Sequence, residues 1–482
     1  MPTGQKLNHF LKRQTKLMNN LKEESERTEL VQGSFRDPSG FVFRKNKIVY
    51  RQINNKYKRE YDQLIESGLY KTLVEEELLI PHEEVSLDLS QSKDSYKVIK
   101  PDQLDFISYP YEWSFSQLKD AALLTLKIQQ KAINFGMSLK DSNSFNIQFK
   151  NGKPIFIDTL SFEMSDMNKP WNAYRQFCQH FYAPLAIMSY KDIRLNQLLK
   201  IYIDGIPLDL ASKLLPKKTN FSFSLLTHIH LHAKSEMSYS RKTQKIKSRK
   251  ISPAGFQGII NSLENGIKRL RWKPKGTEWA DYYDDTNYDD DAFIKKKEII
   301  SNFINKIDSK MVWDLGANQG IFSRLASNKK ITTIAFDIDY SAVDKNYSEC
   351  KKNREQNLLP LLLDLTNPTP GIGWQNLERT SFINRGPVDT VLALALIHHL
   401  AISNNLPLQK IACFLYEICN SLIIEFIPKS DSQIQRLLIN REDIFNNYTQ
   451  ENFEEEFSRY FKILEFKKII NSDRTLYLMK KL

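Results

Sequence analysis

No stretch of the 482 residues holds about 18 consecutive uncharged apolar side chains, so the sequence offers no candidate transmembrane segment. The first 27 residues are polar and lysine-rich and lack the apolar centre of a secretory signal. Cysteine is scarce: Cys178, Cys350, Cys413 and Cys419 are scattered, and no two form a CxxC pair. That spacing argues against a disulfide framework, and a reduced, cytoplasmic compartment is expected. Cys413 and Cys419 fall in an apolar stretch read as helix, where buried thiols are the plain expectation. His228, His230 and His232 alternate, which on a strand would align three imidazoles. Acidic or thiol partners at ligand spacing are missing, so a packed or helical segment is expected there and no metal is assigned.

What is present points to a folded protein of more than one part. The length exceeds that of one ordinary core, so two or three domains are expected. Hydrophobic residues at 41% and aromatic residues at 11% can supply those cores. The net charge of +12 would suit an anionic partner. Part of that excess is local, in the first 27 residues and in Lys234, Arg241, Lys242, Lys245, Lys247, Arg249 and Lys250. Such runs are usually solvated tails or arms, so nucleic acid is a possible partner but not a favoured one.

Several segments are predicted in the N-terminal part. Residues 1–30 form a charged lead-in. Gly40–Phe43 and Ile48–Ile53 read as a hairpin. Lys58–Glu77 has helical periodicity broken at Ser67-Gly68, and Trp113–Gly136 is an amphipathic helix stopped by its glycine. Asp141 and Asn146 then stand as D-x-x-x-x-N before a short strand, the hairpin signal Asn151-Gly152, and a second strand ending in Asp158. From Trp171 to Pro216 the pattern is helical, and Ser252–Arg271 carries another amphipathic helix.

The C-terminal part is built around Met311–Gly320. Met311-Val312-Trp313 reads as a buried strand, Asp314 to Gly320 as a turn with small residues at its corners, and Ile321–Ala326 as the opening of a helix. Thr332–Phe336 is the next strand, closed by Asp337 and Asp339. A glycine turn and an acid ending the second strand make a nucleotide-sized cradle. Leu361–Leu365 with Asp364, Asp389–Ala395 running into His398-His399, Leu422–Phe426, and the pair Phe461–Lys468 and Thr475–Lys480 read as further strands. Their alternation with helices predicts an α/β, doubly wound, Rossmann-like parallel sheet with the ligand at the strand C-termini.

These motifs and spacings resemble class I S-adenosylmethionine-dependent methyltransferases over residues 277–482. The G-x-N-x-G turn with its own preceding acid, the third strand with Asp364 and the closing strand pair distinguish it from a dehydrogenase pattern. The resemblance implies S-adenosyl-L-methionine as cofactor. Gly316 and Gly320 would flank its methionine portion, with Asn318 where a glycine is commonest, and Asp314 would help hold its amino group. Asp337 would hold the ribose, and Asp364 with Leu365 the adenine. His398 and His399, after the fourth strand, are the catalytic candidates. Glu425, Pro428, Lys429 and Asp431 are weaker substrate-side candidates. The Asn/Asp-Pro-Pro-Tyr element of amino-group methylases and a cysteine suited to cytosine methylation are both absent, which counts against base methylation.

Asp141, Asn146 and Asp158 resemble the catalytic loop and metal-binding aspartate of protein-kinase-like and aminoglycoside-phosphotransferase-like folds. The resemblance implies an α+β kinase-like domain over residues 31–233. A glycine-rich loop near Gly40 is missing, and Arg51 stands where a strand lysine is expected, so the phosphotransfer site is read as vestigial. Residues 234–276 would be a basic linker and bridging helix. Taken together, the segments resemble bacterial methyltransferases related to a rhizobial nodulation protein. The expected function is methyl transfer, with the N-terminal domain recognising an acceptor: a glycan, lipid, small molecule, protein or RNA. A bifunctional kinase/methyltransferase and a non-catalytic cofactor-binding protein are the alternatives.

Overall fold

The computed structural model describes residues 28–166, 169–239, 252–273, 290–439 and 442–482. The lead-in up to residue 27, the basic cluster Arg241–Lys250 and the Thr277–Tyr288 stretch lie outside the described residues.

Five antiparallel strands form the first sheet: β1 (Thr28–Leu30), β2 (Gly40–Lys45), β3 (Ile48–Asn54), β4 (His82–Val85) and β5 (Ser95–Pro101), in the order β1-β2-β3-β5-β4. The expected hairpin is β2–β3, turned by Asn46 and Lys47 at φ 54° and 66°. Two left-handed residues in a two-residue loop match the twist of the paired strands. Thr28–Leu30 belongs to this sheet rather than to a lead-in, because it pairs with Phe43–Lys45. Between β3 and β4 run helices α1 (Lys58–Glu66) and α2 (Leu69–Glu75), separated by Gly68 at φ 82°.

A largely helical part comes next. Helix α3 (Phe115–Asn134) starts on a capping box in which Ser114 and Gln117 satisfy each other's backbone N–H groups. Short strands β6 (Met137–Leu139), β7 (Ile147–Lys150), β8 (Lys153–Phe156) and β9 (Phe162–Met164) pair as β6–β9 and β7–β8. Asn151 and Gly152 turn the second pair, at φ 52° and 74°. The segment with His228, His230 and His232 is helical, so the imidazoles are not aligned on a strand. Tyr174 and Ser262 hydroxyls hold the two ring nitrogens of His228, and Ser212 and Thr219 those of His230. Helix α4 (Pro253–Arg269), expected as a bridge, packs on α3 through a buried stripe of Phe256, Ile260, Leu263 and Ile267.

The second sheet has seven strands: β10 (Met311–Leu315), β11 (Thr332–Asp337), β12 (Leu358–Leu362), β13 (Val388–Ala393), β14 (Cys419–Phe426), β15 (Phe461–Lys468) and β16 (Thr475–Lys481). Their order is β12-β11-β10-β13-β14-β16-β15, and all run parallel except β16, which is antiparallel to both of its neighbours. Helices α5 (Asp290–Asn305), α6 (Ser323–Ser327), α7 (Tyr340–Asn353), α8 (Leu408–Ile418) and α9 (Gln450–Ser458) accompany it. The central strands are near-continuous runs of buried residues, as a sheet covered on both faces requires. Cys419 opens β14 instead of lying in the helix that holds Cys413, and β12 ends at Leu362, so Asp364 stands two residues beyond its strand.

The expected alternation fails between β12 and β13. Residues 363–387 carry short 3-10 turns and one isolated bridge, Ile372 to Arg379, in place of a helix; Phe382 packs on Trp313 and Phe336, and other side chains reach the N-terminal part. Arg385 donates to both carboxylate oxygens of Glu112, at 2.5 and 3.0 Å, and Thr369 donates to the same group at 2.9 Å. Phe106 stands edge-on to Trp313 and Phe336. One apolar core therefore runs from the helical part into the second sheet.

Candidate functional site

Strand β10 ends on Asp314 and Leu315, and the chain must then turn sharply to enter α6. Gly316 and Gly320 take φ 75° and 77°, and Asn318 takes φ 50°. Asparagine is among the few non-glycine residues that occupy this left-handed region readily, which explains how the middle position does without glycine. The turn is fastened to β11: the Gly316 and Ala317 N–H groups both donate to the Phe336 carbonyl, and the Asn318 N–H donates to Asp337 Oδ2 at 2.7 Å. A Cβ on Gly316 would lie 3.3 Å from Leu396 Cδ1. The structure thus brings Asp314, Gly316, Asn318, Gly320 and Asp337 together at the C-terminal edge of the sheet.

Both acids are deeply buried. Burial pushes the Asp314 carboxyl up to about 7, against a hydrogen bond from Ser323 Oγ that pulls it down; the charge of Asp337 raises it further. Burial likewise pushes Asp337 up to about 6, despite backbone donors from Asp339 and Asn318. Asp339 has a different task, accepting from the Ser341 and Ala342 N–H groups as the N-cap of α7. Asp364, half-buried, accepts from the N–H and hydroxyl of Thr366. Leu365 lines a small apolar pocket with Leu315, Ala393, Leu396, Ile397 and Phe414.

His398 and His399 come after β13, their ring centroids 4.0 Å apart. Burial, then the neighbouring His399, Arg474 and Lys296, hold His398 well below the ordinary imidazole range, and burial lowers His399 to about 4. Both rings are neutral at pH 7, but a base with a pKa near 4 is poorly matched to proton removal at that pH. Of the weaker candidates, Asp431 caps the helix Ser432–Leu438 and holds buried Arg474 at 2.7 Å, while Lys429 pairs with Asp443. Glu425 is fully buried, accepts from the Ala395 N–H at 2.8 Å and takes an ion pair from Lys296 at 2.7 Å.

Lys296 belongs to no sequence motif. Its signal is positional: Ala292, Lys296, Ile299, Ile300 and Phe303 share one face of α5, and a lysine on such an apolar stripe needs a buried partner. Ser323, which donates to Asp314, carries no comparable signal in the sequence.

In the N-terminal part, Asp141, Asn146 and Asp158 come together: burial, then the charge of Asp158, raises the Asp141 carboxyl, and Asn146 hydrogen-bonds to it. The carboxylate of Asp158 is already engaged. Arg51 Nη1 forms an ion pair with Oδ1, the Leu160 N–H donates to the same oxygen, and Ser161 Oγ donates to Oδ2. The strand arginine that replaces the expected lysine thus lies directly on the acid expected to hold metal.

No protein-family model matches the chain. Among solved structures, the chain is similar to the 16S rRNA methylase ArmA, at 18% identity and TM-score 0.29, over 40% of this chain and 85% of that one. It is also similar to the bifunctional kinase-methyltransferase WbdD, at 16% identity and TM-score 0.26, over 39% of this chain and 38% of that one. Scores this low have no bearing on the chemistry of this chain. The sequence relationship is of another order: the nodulation protein NoeA of Rhizobium meliloti (strain 1021) is 33% identical over 455 residues, which is 93% of this chain and 95% of that protein. Identity at that level along nearly the whole length of both proteins means that the chain belongs to the NoeA family.

Proposed function

We propose that the chain is an S-adenosylmethionine-dependent methyltransferase whose N-terminal part recognises the methyl acceptor. The observation that carries this reading is the edge of the second sheet, where a glycine turn lies between two buried acids, Asp314 and Asp337, in a sheet closed by an antiparallel strand pair. The donor set suits the cofactor. Two carboxyls with raised proton affinity mark a place short of positive charge, and a ligand with an ammonium group and ribose hydroxyls would supply what they lack. Bound S-adenosylmethionine would provide an electrophilic methyl group on a sulfonium sulfur. Asp314 and the turn Gly316–Gly320 would hold its amino-acid end, Asp337 the ribose, and Asp364 with Leu365 the adenine.

The chain's own contribution to an in-line methyl displacement is placement and exclusion of water. His398 and His399, neutral and close to β13, suit hydrogen bonding to an acceptor better than general-base work.

Calorimetry tests the reading. The protein is expected to bind S-adenosylmethionine, and Gly316→Arg, which forces a bulky side chain on φ 75° beside Leu396, is expected to abolish binding without unfolding the protein. Absence of binding by the unmodified protein sinks the proposal. Binding without labelled methyl transfer into any extract fraction would favour the non-catalytic alternative. The occupied carboxylate of Asp158 speaks against phosphoryl transfer, so magnesium with ATP is expected to leave the melting temperature unchanged.

A further inference from the structure

The nucleoside end of the cofactor cleft is bordered by a segment that the second sheet does not supply. Tyr340 lies three residues past Asp337, at the start of α7. Its hydroxyl donates to Asn196 Oδ1 at 2.9 Å and accepts from Gln197 Nε2 at 3.3 Å. Both amides are anchored in turn to the Pro110–Glu112 turn, which packs beside β12: Gln197 donates to the Tyr111 carbonyl at 2.8 Å, and Asn196 to the Tyr111 and Trp113 carbonyls at 3.3 Å. The segment therefore grips β11's exit, and the turn that anchors it sits against the strand that leads to Asp364.

Lys200 stands on the next turn, Leu198–Ile201, with its ammonium 5.6 Å from the Tyr111 ring centroid. It is half-buried, and among the described residues no hydrogen bond or ion pair engages it. Burial lowers the proton affinity of this ammonium, and the charges of Glu112 and Asp364 oppose that shift. Glu112 is already held by Arg385, Thr369 and the Tyr109 N–H. Beside Asp337, Ile338 is 56% exposed, an apolar surface at the same edge where a planar base could rest.

We infer that the helical part completes the cofactor site: Asn196 and Gln197 position Tyr340 and the β11 exit, while Lys200, held over the Tyr111 ring on the adjoining turn, contacts the nucleobase at the adenine end. This rests on the reading of Asp337 as the ribose holder and Asp364 as the adenine holder. It assigns to the N-terminal part a share in cofactor binding, in addition to any share in acceptor binding.

Titration of the full chain with S-adenosylhomocysteine decides it. Lys200→Met is expected to weaken binding about tenfold and Lys200→Arg, which keeps the charge, less than about threefold. Tyr340→Phe keeps its ring and loses the hydroxyl that joins it to Asn196 and Gln197, so about a threefold loss is expected. Wild-type affinity in both Lys200→Met and Tyr340→Phe overturns the inference while leaving the cofactor reading intact. If the unmodified protein does not bind, the cofactor reading falls and this inference falls with it.

Discussion

A carboxyl group cut off from water keeps its proton to higher pH than an exposed one, and at Asp314 this couples protonation to both folding and binding. Its pKa rises from 3.8 to about 7, so the folded chain binds this proton more tightly than the unfolded chain does. The stability it contributes is complete below about pH 4 and is lost as pH rises through 7. Asp337 acts in the same direction, with its loss complete as pH rises through about 6. The unliganded protein is therefore expected to melt at progressively lower temperature from pH 4 to pH 7, as far as these two groups decide. A ligand ammonium needs the ionised carboxylate, so cofactor affinity is expected to fall more than about tenfold from pH 7 to pH 5. Asp314→Asn should flatten both profiles and weaken binding at pH 7 by at least about tenfold. Calorimetric titration across pH checks this, and a pH-independent affinity in the unmodified protein would refute it.

At the scale of elements, the sequence disclosed whatever local chemistry decides. The Asn46-Lys47 and Asn151-Gly152 turns, the Ser67-Gly68 break and the Asp314–Gly320 loop each arise from backbone preferences of a few consecutive residues. The run of strands from β10 to β16 arises from apolar segments ending at one edge. The features that stayed hidden depend on partners far along the chain: Lys296 and Glu425 are 129 residues apart, Glu112 and Arg385 are 273 apart, and Arg51 reaches Asp158 from the first sheet. Helix α5 shows how such a contact shapes an element, since its apolar face buries Lys296 against Glu425. The same carboxylate holds the Ala395 N–H at the start of the His398-His399 segment. Lys296→Met would leave that fully buried carboxylate without its ammonium, at a loss of about 3 kcal/mol in urea unfolding. Lys296→Met with Glu425→Gln should recover part of it. A loss under about 0.5 kcal/mol for the single change would show that the pair contributes no more than an exposed one.

Across the whole molecule, the helical part and the second sheet are joined by a seam that resembles a domain interior. Phe106 reaches Trp313 and Phe336, Gln117 donates to the Pro360 carbonyl, Ser116 and Tyr347 exchange contacts with Asp344 and Asp120, and the 363–387 connection closes over Glu112. Domains joined by small polar contacts unfold independently, whereas halves that share one core lose it together. A seam with a buried ion pair at its centre, Arg385 on Glu112, belongs to the second case. Calorimetry is therefore expected to show one cooperative transition for the N-terminal part and the second sheet. Arg385→Met, which strands Glu112 between Tyr109 and Thr369, should destabilise that transition by about 3 kcal/mol without dividing it. Two resolved transitions in the unmodified protein would mean that the seam couples the halves only weakly. In that case the contacts of Asn196, Gln197 and Lys200 at the cofactor edge would depend on how the halves are docked. A single transition ties that edge to the core as a whole, so that changes in the helical part register directly in cofactor affinity.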